Sequence, residues 1–387
     1  MTEAVIVAYG RSPIGRAMKG SLVPVRPDDL AAHVVTKVLE KVPQLDHDEI
    51  EDLIMGCGLP GGEQGHNIGR VVSILARLDV PGVTVNRYCS SSLMTTRMAV
   101  HSIKAGEGDV FVSAGVECVS RYGSGYPDAP DTYNPKLVAG NTEEYPDIYI
   151  TMGQTAENVR IREKIGREEM DRYALQSQQR AVHSQDDGFF EREIIPVPLP
   201  SGDLFTKDDG PRRNTSLEAL AELKPAFRED GAVTAGNSCP LNDGAAAVVV
   251  MSDKRAKELG LKPLARVVST GLSALEPEFM GLGPIDASKE ALKRAGMKID
   301  DVDLVEINEA FAAQVIPSAR ALGIDPFGDK LNQHGGAIAL GHPFGMTGAR
   351  ILCTLLNGLQ TENKTIGLET MCVGGGQGMA MIFERLN

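Results

Sequence analysis

Four short segments carry side chains able to do covalent or proton-transfer chemistry. VNRYCSSSL, from Val85, sets Cys89 after a short β-prone run and before a stretch of helical apolar spacing (Leu93, Met94, Ala99, Val100, Ile103). A helix N-terminus presents unpaired N–H groups and the positive end of the helix dipole. Both favour a thiolate, so this position predicts a lowered thiol pKa and a nucleophile. The competing reading is a small buried hydrophobe, a common fate of free cysteine, although three adjacent serines are odd packing for it. HGGAIALGHPFGMTGAR, from His334, offers His342 as a base in a glycine-rich loop, or as a surface histidine. CVGGG offers a second thiol, Cys372, ahead of a glycine run that makes either an anion-binding nest of N–H groups or a plain tight turn. INEAFAAQ offers Asn308 and Glu309 at a strand end, where Asn308 also reads as a helix N-cap. A Cys, a His, a second Cys and an Asn at strand-end loops point to one shared site.

The elements that must position these loops are written twice in the chain. AVIVAY (from Ala4) and ARVVST (from Ala265) are apolar β-rich runs. Matching helical patterns follow, DDLAAHVVTKVLEKV from Asp28 and PIDASKEALKRAG from Pro284. Then come the paired strands IEDLIMG and VDLVEIN, the pair VNRYC and LNQHG, and the pair GDVFVSAGVEC and NKTIGLETMCVGG. DGAAAVVVMS and GQGMAMIFE close the two copies. Asn86 and Asn332 are offset by 246 residues, and Asp109 and Lys364 by 255. Gly244 and Gly378 are offset by only 134, so the first copy carries about 121 extra residues between its last two strands. Alternating strands and helices indicate α/β units with covered sheets, whose ligands bind where the strand-end loops gather. The expected organisation is an N-terminal half (1–117 plus 244–264), an insertion (118–243) and a C-terminal half (265–387). The insertion differs in composition: an aromatic Pro/Gly-rich run (RYGSGYPDAPDTYNP), a long polar helix candidate (REEMDRYALQSQQRAVHSQ) and the basic PRRN.

Bulk properties exclude several classes. With 387 residues, 42% hydrophobic and 24% charged, the chain has a large core and the composition of a globular protein. A formal charge of −13 argues against nucleic acid or an anionic membrane surface as partner. It leaves room for a small anion held by local cations. The opening MTEAVIVAYG reads as a strand and not as a secretory signal, so a cytoplasmic protein with reduced thiols is expected. The six cysteines are scattered, with no CxxC or Cys/His metal spacing, and no metal site is expected.

In combination, VNRYCSSSL, MGQTAENV, KPAFREDGAVTAGNSCPLNDGAAA, NEAFAAQ, GGAIALGHPFGMTGAR and CVGGGQG resemble the thiolase family, in the family's order and across the whole chain. The resemblance implies two pseudo-twofold-related α/β halves in a five-layered αβαβα arrangement with an inserted loop domain. It implies Cys89 as the nucleophile that takes the acyl group, and His342 as the residue that helps activate it and lines an oxyanion site. Cys372 is then the acid/base at the α-carbon of acetyl-CoA, and Asn308 positions a water. The N–H groups of Cys89 and Gly374 form the second oxyanion hole. Coenzyme A is implied as a substrate, with no permanently bound cofactor. Arg212 falls in the basic position of the CoA-holding insertion, with Lys207, Arg213 and Lys224 as further cations. Cys239 matches a pantetheine contact, and Met152, Phe227 and Phe311 match positions shaping the substrate channel.

The activity implied is CoA-dependent cleavage of 3-ketoacyl-CoA in fatty-acid degradation, in a homodimer or homotetramer. Alternatives are a biosynthetic acetyl-CoA acetyltransferase, a non-catalytic CoA-binding homologue and a cysteine hydrolase. Carrier-protein condensing enzymes use two basic residues where this chain has Cys372. Four positions depart from common family residues: Ser92 for Gly, Cys239 for Ser, His334 for Asn and Thr151 for the His of short-chain enzymes.

Overall fold

The computed structural model describes residues 2–121, 133–138 and 145–387. Most of the run RYGSGYPDAPDTYNP lies outside the described residues. Twelve strands follow in chain order: β1 Ala4–Arg11, β2 Gly15–Arg16, β3 Asp52–Gly56, β4 Gly82–Val85, β5 Val110–Cys118, β6 Val197–Pro198, β7 Leu204–Phe205, β8 Asn242–Ser252, β9 Ala265–Ala274, β10 Leu304–Ile307, β11 Ile366–Val373 and β12 Gln377–Arg385. All but the β6–β7 hairpin belong to one ten-stranded mixed sheet, in the order β10-β11-β12-β9-β1-β8-β5-β3-β4, with β2 added to β8.

The doubling read from the sequence is visible in this order. The first half runs β1-β8-β5-β3-β4, which is first, fifth, fourth, second and third strand of that copy. The second half runs β9-β12-β11-β10, and beyond β10 only Leu331 bridges to Val305 in parallel. LNQHG therefore supplies a single bridge where VNRYC follows a full strand. The two halves meet where β1 pairs with β9, Val5 opposite Arg266 and Ile6 opposite Ala265.

Helices form three layers around and between the two half-sheets. Pro27–Leu39 covers the first half-sheet and Gly283–Ala295 the second. Between the half-sheets lie Ser91–Ala105 and Thr347–Thr361, packed on each other. The Thr347–Thr361 helix is buried from Thr347 to Leu359 on all sides, as a helix between two sheets must be. Strands flanked by helices on both faces read as unbroken apolar runs; β8, NDGAAAVVVMS, is buried throughout.

Between Cys118 and Asn242 run the helices Met152–Arg162 and Arg167–Asp186, and the short helix Leu217–Ala221. One buried ion network ties this segment to the sheet. Arg11, at the end of β1, donates Nε to Glu193 at 2.6 Å and two guanidinium nitrogens to Asp208 at 2.8 and 3.0 Å. All three side chains are fully buried or nearly so. Glu193 also accepts from Thr354 and Asn357 of the central helix, and Asp208 from the Ile14 N–H. Removing one partner from such a network strands a charge in the interior. Arg11→Met is expected to destabilise the fold by about 3–5 kcal/mol, measured by denaturant unfolding, with Glu193→Gln showing a loss in the same direction.

Candidate active site

Cys89 sits in a single 3₁₀ turn, Tyr88–Ser90, directly ahead of the helix Ser91–Ala105. Tyr88 has φ of 43°, an uncommon left-handed conformation for a bulky residue. The flanking serines hold this turn. Ser91 Oγ donates to Tyr88 O at 2.7 Å and accepts the Arg87 N–H at 3.0 Å. Ser90 Oγ donates to Arg87 O at 3.1 Å. Ser92 is buried, and its Oγ accepts the Ala349 N–H at 2.8 Å. That bond joins the cysteine's helix to the first turn of the helix following His342. The serine at this departure from the family pattern thus has a partner.

The expectation of a lowered Cys89 pKa is overturned. Burial pushes the thiol up to about 12, against the N–H groups of Gly374 and of Cys89 itself, which pull it down. Helix-end donors are outweighed by the burial of the thiol among protein groups. Cys89 therefore rests as a thiol.

His342 is the histidine expected to act on this thiol. Its Nδ1 lies 2.7 Å from Thr347 Oγ1, whose own hydrogen is committed to Pro343 O at 2.7 Å. Nδ1 must then be the donor, which leaves a lone pair on Nε2. Asn308 Nδ2 lies 3.3 Å from that Nε2. Burial, helped by the Arg350 charge, holds His342 down to about 3, so the ring is neutral. The surface-histidine alternative fails, since His342 is buried. Gly341 (φ 117°) admits the loop, because a Cβ there would lie 2.6 Å from the Asn242 side chain. Asn242 Oδ1 accepts the His342 N–H at 2.9 Å.

Cys372 ends near the close of β11, fully buried, with its thiol pushed well above the ordinary value by burial and by the nearby Cys89 and Cys239. After Val373 the chain turns through Gly375 and Gly376, at φ of 77° and 76°. A Cβ on Gly376 would lie 2.2 Å from Leu275 O, so only glycine fits. The Gly374 N–H, at the start of this glycine turn, is directed at the Cys89 thiol. Asn308 is not a helix N-cap, since the next helix starts at Ala312 with Phe311 as its cap residue. Its Oδ1 is buried without a hydrogen-bond partner among the described residues, so it presents a polar atom to the site.

Two carboxylates hold these loops: Glu309, offered by the sequence beside Asn308, and Glu117, which the sequence reading did not assign to the site. Glu309 accepts from Tyr173 Oη (3.0 Å), Ser177 Oγ (2.6 Å), Asn332 Nδ2 (2.9 Å) and Ile338 N (3.1 Å). Glu117 accepts from Gly58 N (2.8 Å), Leu59 N (3.3 Å), Gln64 Nε2 (2.7 Å) and Gly345 N (2.9 Å), while burial raises its pKa. The signal was available: an acidic residue at the end of an otherwise apolar strand, as in VFVSAGVEC and LVEINEAF.

A cavity of about 380 Å³ opens on Cys89. Gly374, Met152 and Phe344 line it, and the Phe344 ring meets the His342 ring edge-on, centroids 5.1 Å apart. Tyr133 and Tyr149, stacked at 4.1 Å, form another wall. Arg212, Phe227, Phe311 and Cys239 are not among this lining, although Cys239 lies near Cys89 and Cys372. Arg212 borders a separate cavity of about 280 Å³ with Gln178, Asp186 and Arg213. Phe227 and Phe311 cross edge-to-face at 6.0 Å. Cys239 donates its N–H to Ala310 O at 3.0 Å and packs on the core cluster that holds Cys372 and Phe311. His334 stacks on Phe189, centroids 3.5 Å apart, with Nδ1 3.1 Å from Ser184 Oγ. Among the described residues no group of three or more His, Cys, Asp or Glu could hold a metal ion, and no helix is long and apolar enough to cross a membrane.

Comparison with known proteins agrees with this geometry. Residues 4–254 match the family description "Thiolase, N-terminal domain" and residues 261–385 match "Thiolase, C-terminal domain". The 3-ketoacyl-CoA thiolase of Bacillus subtilis (strain 168) is 42% identical, over 99% of this chain and all of that protein. The beta-ketoadipyl-CoA thiolase of Acinetobacter baylyi is 41% identical over the full length of both. A crystal structure of the Bacillus anthracis acetyl-CoA acetyltransferase superposes with a TM-score of 0.91 at 37% identity, covering 100% of this chain and 99% of that one. With both domain descriptions matched from residue 4 to residue 385 and full-length relatives above 40% identity, the chain belongs to the thiolase family of acyltransferases.

Proposed function

We propose that this enzyme cleaves 3-ketoacyl-CoA with coenzyme A, giving acetyl-CoA and a shortened acyl-CoA. The observation that carries the reading is the convergence of two thiols from the two halves of the fold, Cys89 and Cys372, with the Gly374 N–H directed at the first. Neutral His342 takes the Cys89 proton at Nε2 as the sulfur attacks the 3-keto carbon. The oxyanion that forms meets preorganised donors. The bond between C2 and C3 then breaks, and the acetyl-CoA carbanion takes a proton from Cys372. Burial keeps Cys372 protonated until that moment, which suits an acid acting at carbon. An acyl thioester remains on Cys89. In the second half-reaction the CoA thiol gives its proton to the Cys372 thiolate and attacks the thioester. Cys89 leaves as thiolate and recovers its proton from His342. The cycle is ping-pong.

Degradation, as in β-oxidation, is the direction we assign. Two relatives quoted above are named 3-ketoacyl-CoA thiolase and beta-ketoadipyl-CoA thiolase, and the biosynthetic reading is not favoured over degradation. We assign residues 118–243 to CoA binding, between halves formed by 1–117 plus 244–264 and by 265–387. Arg213 is paired with Asp186 at 2.5 Å, but Arg212 has no carboxylate partner among the described residues. An uncommitted guanidinium suits a phosphate on an acidic protein. The edge strand β4 and the exposed Ile74 and Leu75 beside it support pairing of two copies through their first halves. Six free cysteines suit a reducing, cytoplasmic setting.

Three outcomes are expected. Loss of enolate absorbance should report CoA-dependent cleavage of 3-ketoacyl-CoA, with longer chains turned over faster than acetoacetyl-CoA. Activity on acetoacetyl-CoA alone would favour the biosynthetic alternative. Cys372→Ala should still acquire an acyl group but stop exchanging the α-protons of acetyl-CoA with deuterated water; exchange at the normal rate would refute its role. Arg212→Ala should raise KM for CoA by about tenfold with little change in kcat.

A further inference from the structure

We infer that Arg87 and Gln377 form a strap that holds the Gly374 peptide against Cys89, making both of them positioning residues for acylation. The inference rests on the thiolase reading above. Arg87 Nη1 donates to Gln377 Oε1 at 2.9 Å. Gln377 Nε2 donates in turn to the Gly374 carbonyl at 3.1 Å. Arg87 stands two residues before Cys89 in the first half of the fold, and Gln377 opens β12 in the second. The strap therefore crosses the joint between the halves at the point where their catalytic loops face each other.

Gly374 needs such support. It follows the last residue of β11 and precedes two glycines in the left-handed region, so its own backbone limits it little. The residue types at both ends of the strap are specific to the task. A side-chain amide accepts from a guanidinium through its oxygen and donates to a carbonyl through its nitrogen. A carboxylate at 377 would keep the first bond and repel the Gly374 oxygen. At position 87, a guanidinium makes a charge-assisted bond to the amide. Arg87 is half-buried, and among the described residues no ion pair to a carboxylate competes for it. Its own backbone is fixed to the cysteine's turn by the Ser91 and Ser90 bonds.

Single-turnover acylation and iodoacetamide alkylation of Cys89 test the strap in Arg87→Ala, Gln377→Ala, Gln377→Glu, Arg87→Lys and the Arg87→Ala/Gln377→Ala double variant. A displaced donor near the reacting atom costs about tenfold to a hundredfold, and acylation should fall by that factor in Arg87→Ala, Gln377→Ala and Gln377→Glu. KM for the 3-ketoacyl-CoA should stay within about twofold, since the strap touches no substrate. The double variant should be no slower than the slower single, because both break one strap. Arg87→Lys should recover part of the rate. Alkylation, which needs neither CoA nor turnover, should slow alongside acylation. Normal alkylation and acylation in Arg87→Ala and Gln377→Glu, at unchanged melting temperature, would overturn the strap, as would losses that multiply in the double variant. A wild-type enzyme that cleaves no 3-ketoacyl-CoA would defeat the thiolase reading, and alkylation alone would then decide the strap.

Discussion

The carboxylate of Glu309 accepts four hydrogen bonds inside the protein, and the geometry of the site depends on it. Loops that leave a sheet and dive into a buried site lose both ladder partners and water, yet their N–H groups must still be satisfied. Glu309 meets that need for the loop behind His342, through Ile338 N, and ties it to the insertion through Tyr173 and Ser177. Because Glu309 follows Asn308, the same bonds set where the Asn308 amide meets His342. Glu117 does the equivalent work in the first half, joining the cavity wall at Gly58 and Leu59 to Gly345. Each carboxylate anchors loops that would otherwise have no fixed place, and the rigidity of the site follows from them.

The same burial that demands these anchors sets the acid–base chemistry. It raises Cys89 and Cys372 and lowers His342, so each group rests in its neutral form. On the proposed mechanism, charge separates only when substrate carbon and oxygen are present to receive it. A thiol that waits protonated is shielded from stray electrophiles, and a neutral imidazole with its Nδ1 hydrogen fixed on Thr347 has its basic nitrogen ready. On the proposed mechanism the donors near Cys89 serve the developing oxyanion more than they serve a resting thiolate.

Much of this was legible in the chain. The doubled order of strands followed from apolar periodicity and from offsets between paired segments, since sheet order leaves its pattern in sequence. The four reactive residues stood out as chemistry-bearing types beside glycine or serine at strand ends. The resting state of Cys89 was not legible, because a helix-end position can be read locally whereas burial depends on packing from both halves. Ser92 looked like a departure that disturbs a turn, and only the folded chain brings Ala349 N–H to its hydroxyl. The third strand of the second copy shrank to the bridge at Leu331, where LNQHG gives no β-branched run to match GVTV. Arg11, at the end of an apolar strand, gave no local sign of the two carboxylates that reach it from nearly two hundred residues away.

The most direct test of the account is peptide mass spectrometry of the enzyme after brief reaction with a 3-ketoacyl-CoA in the absence of free CoA. The account predicts one acyl group per active site, carried on the peptide containing Cys89 and removed when CoA is added. An acyl group on Cys239 or Cys372 instead, or none on any cysteine while cleavage proceeds, would contradict it.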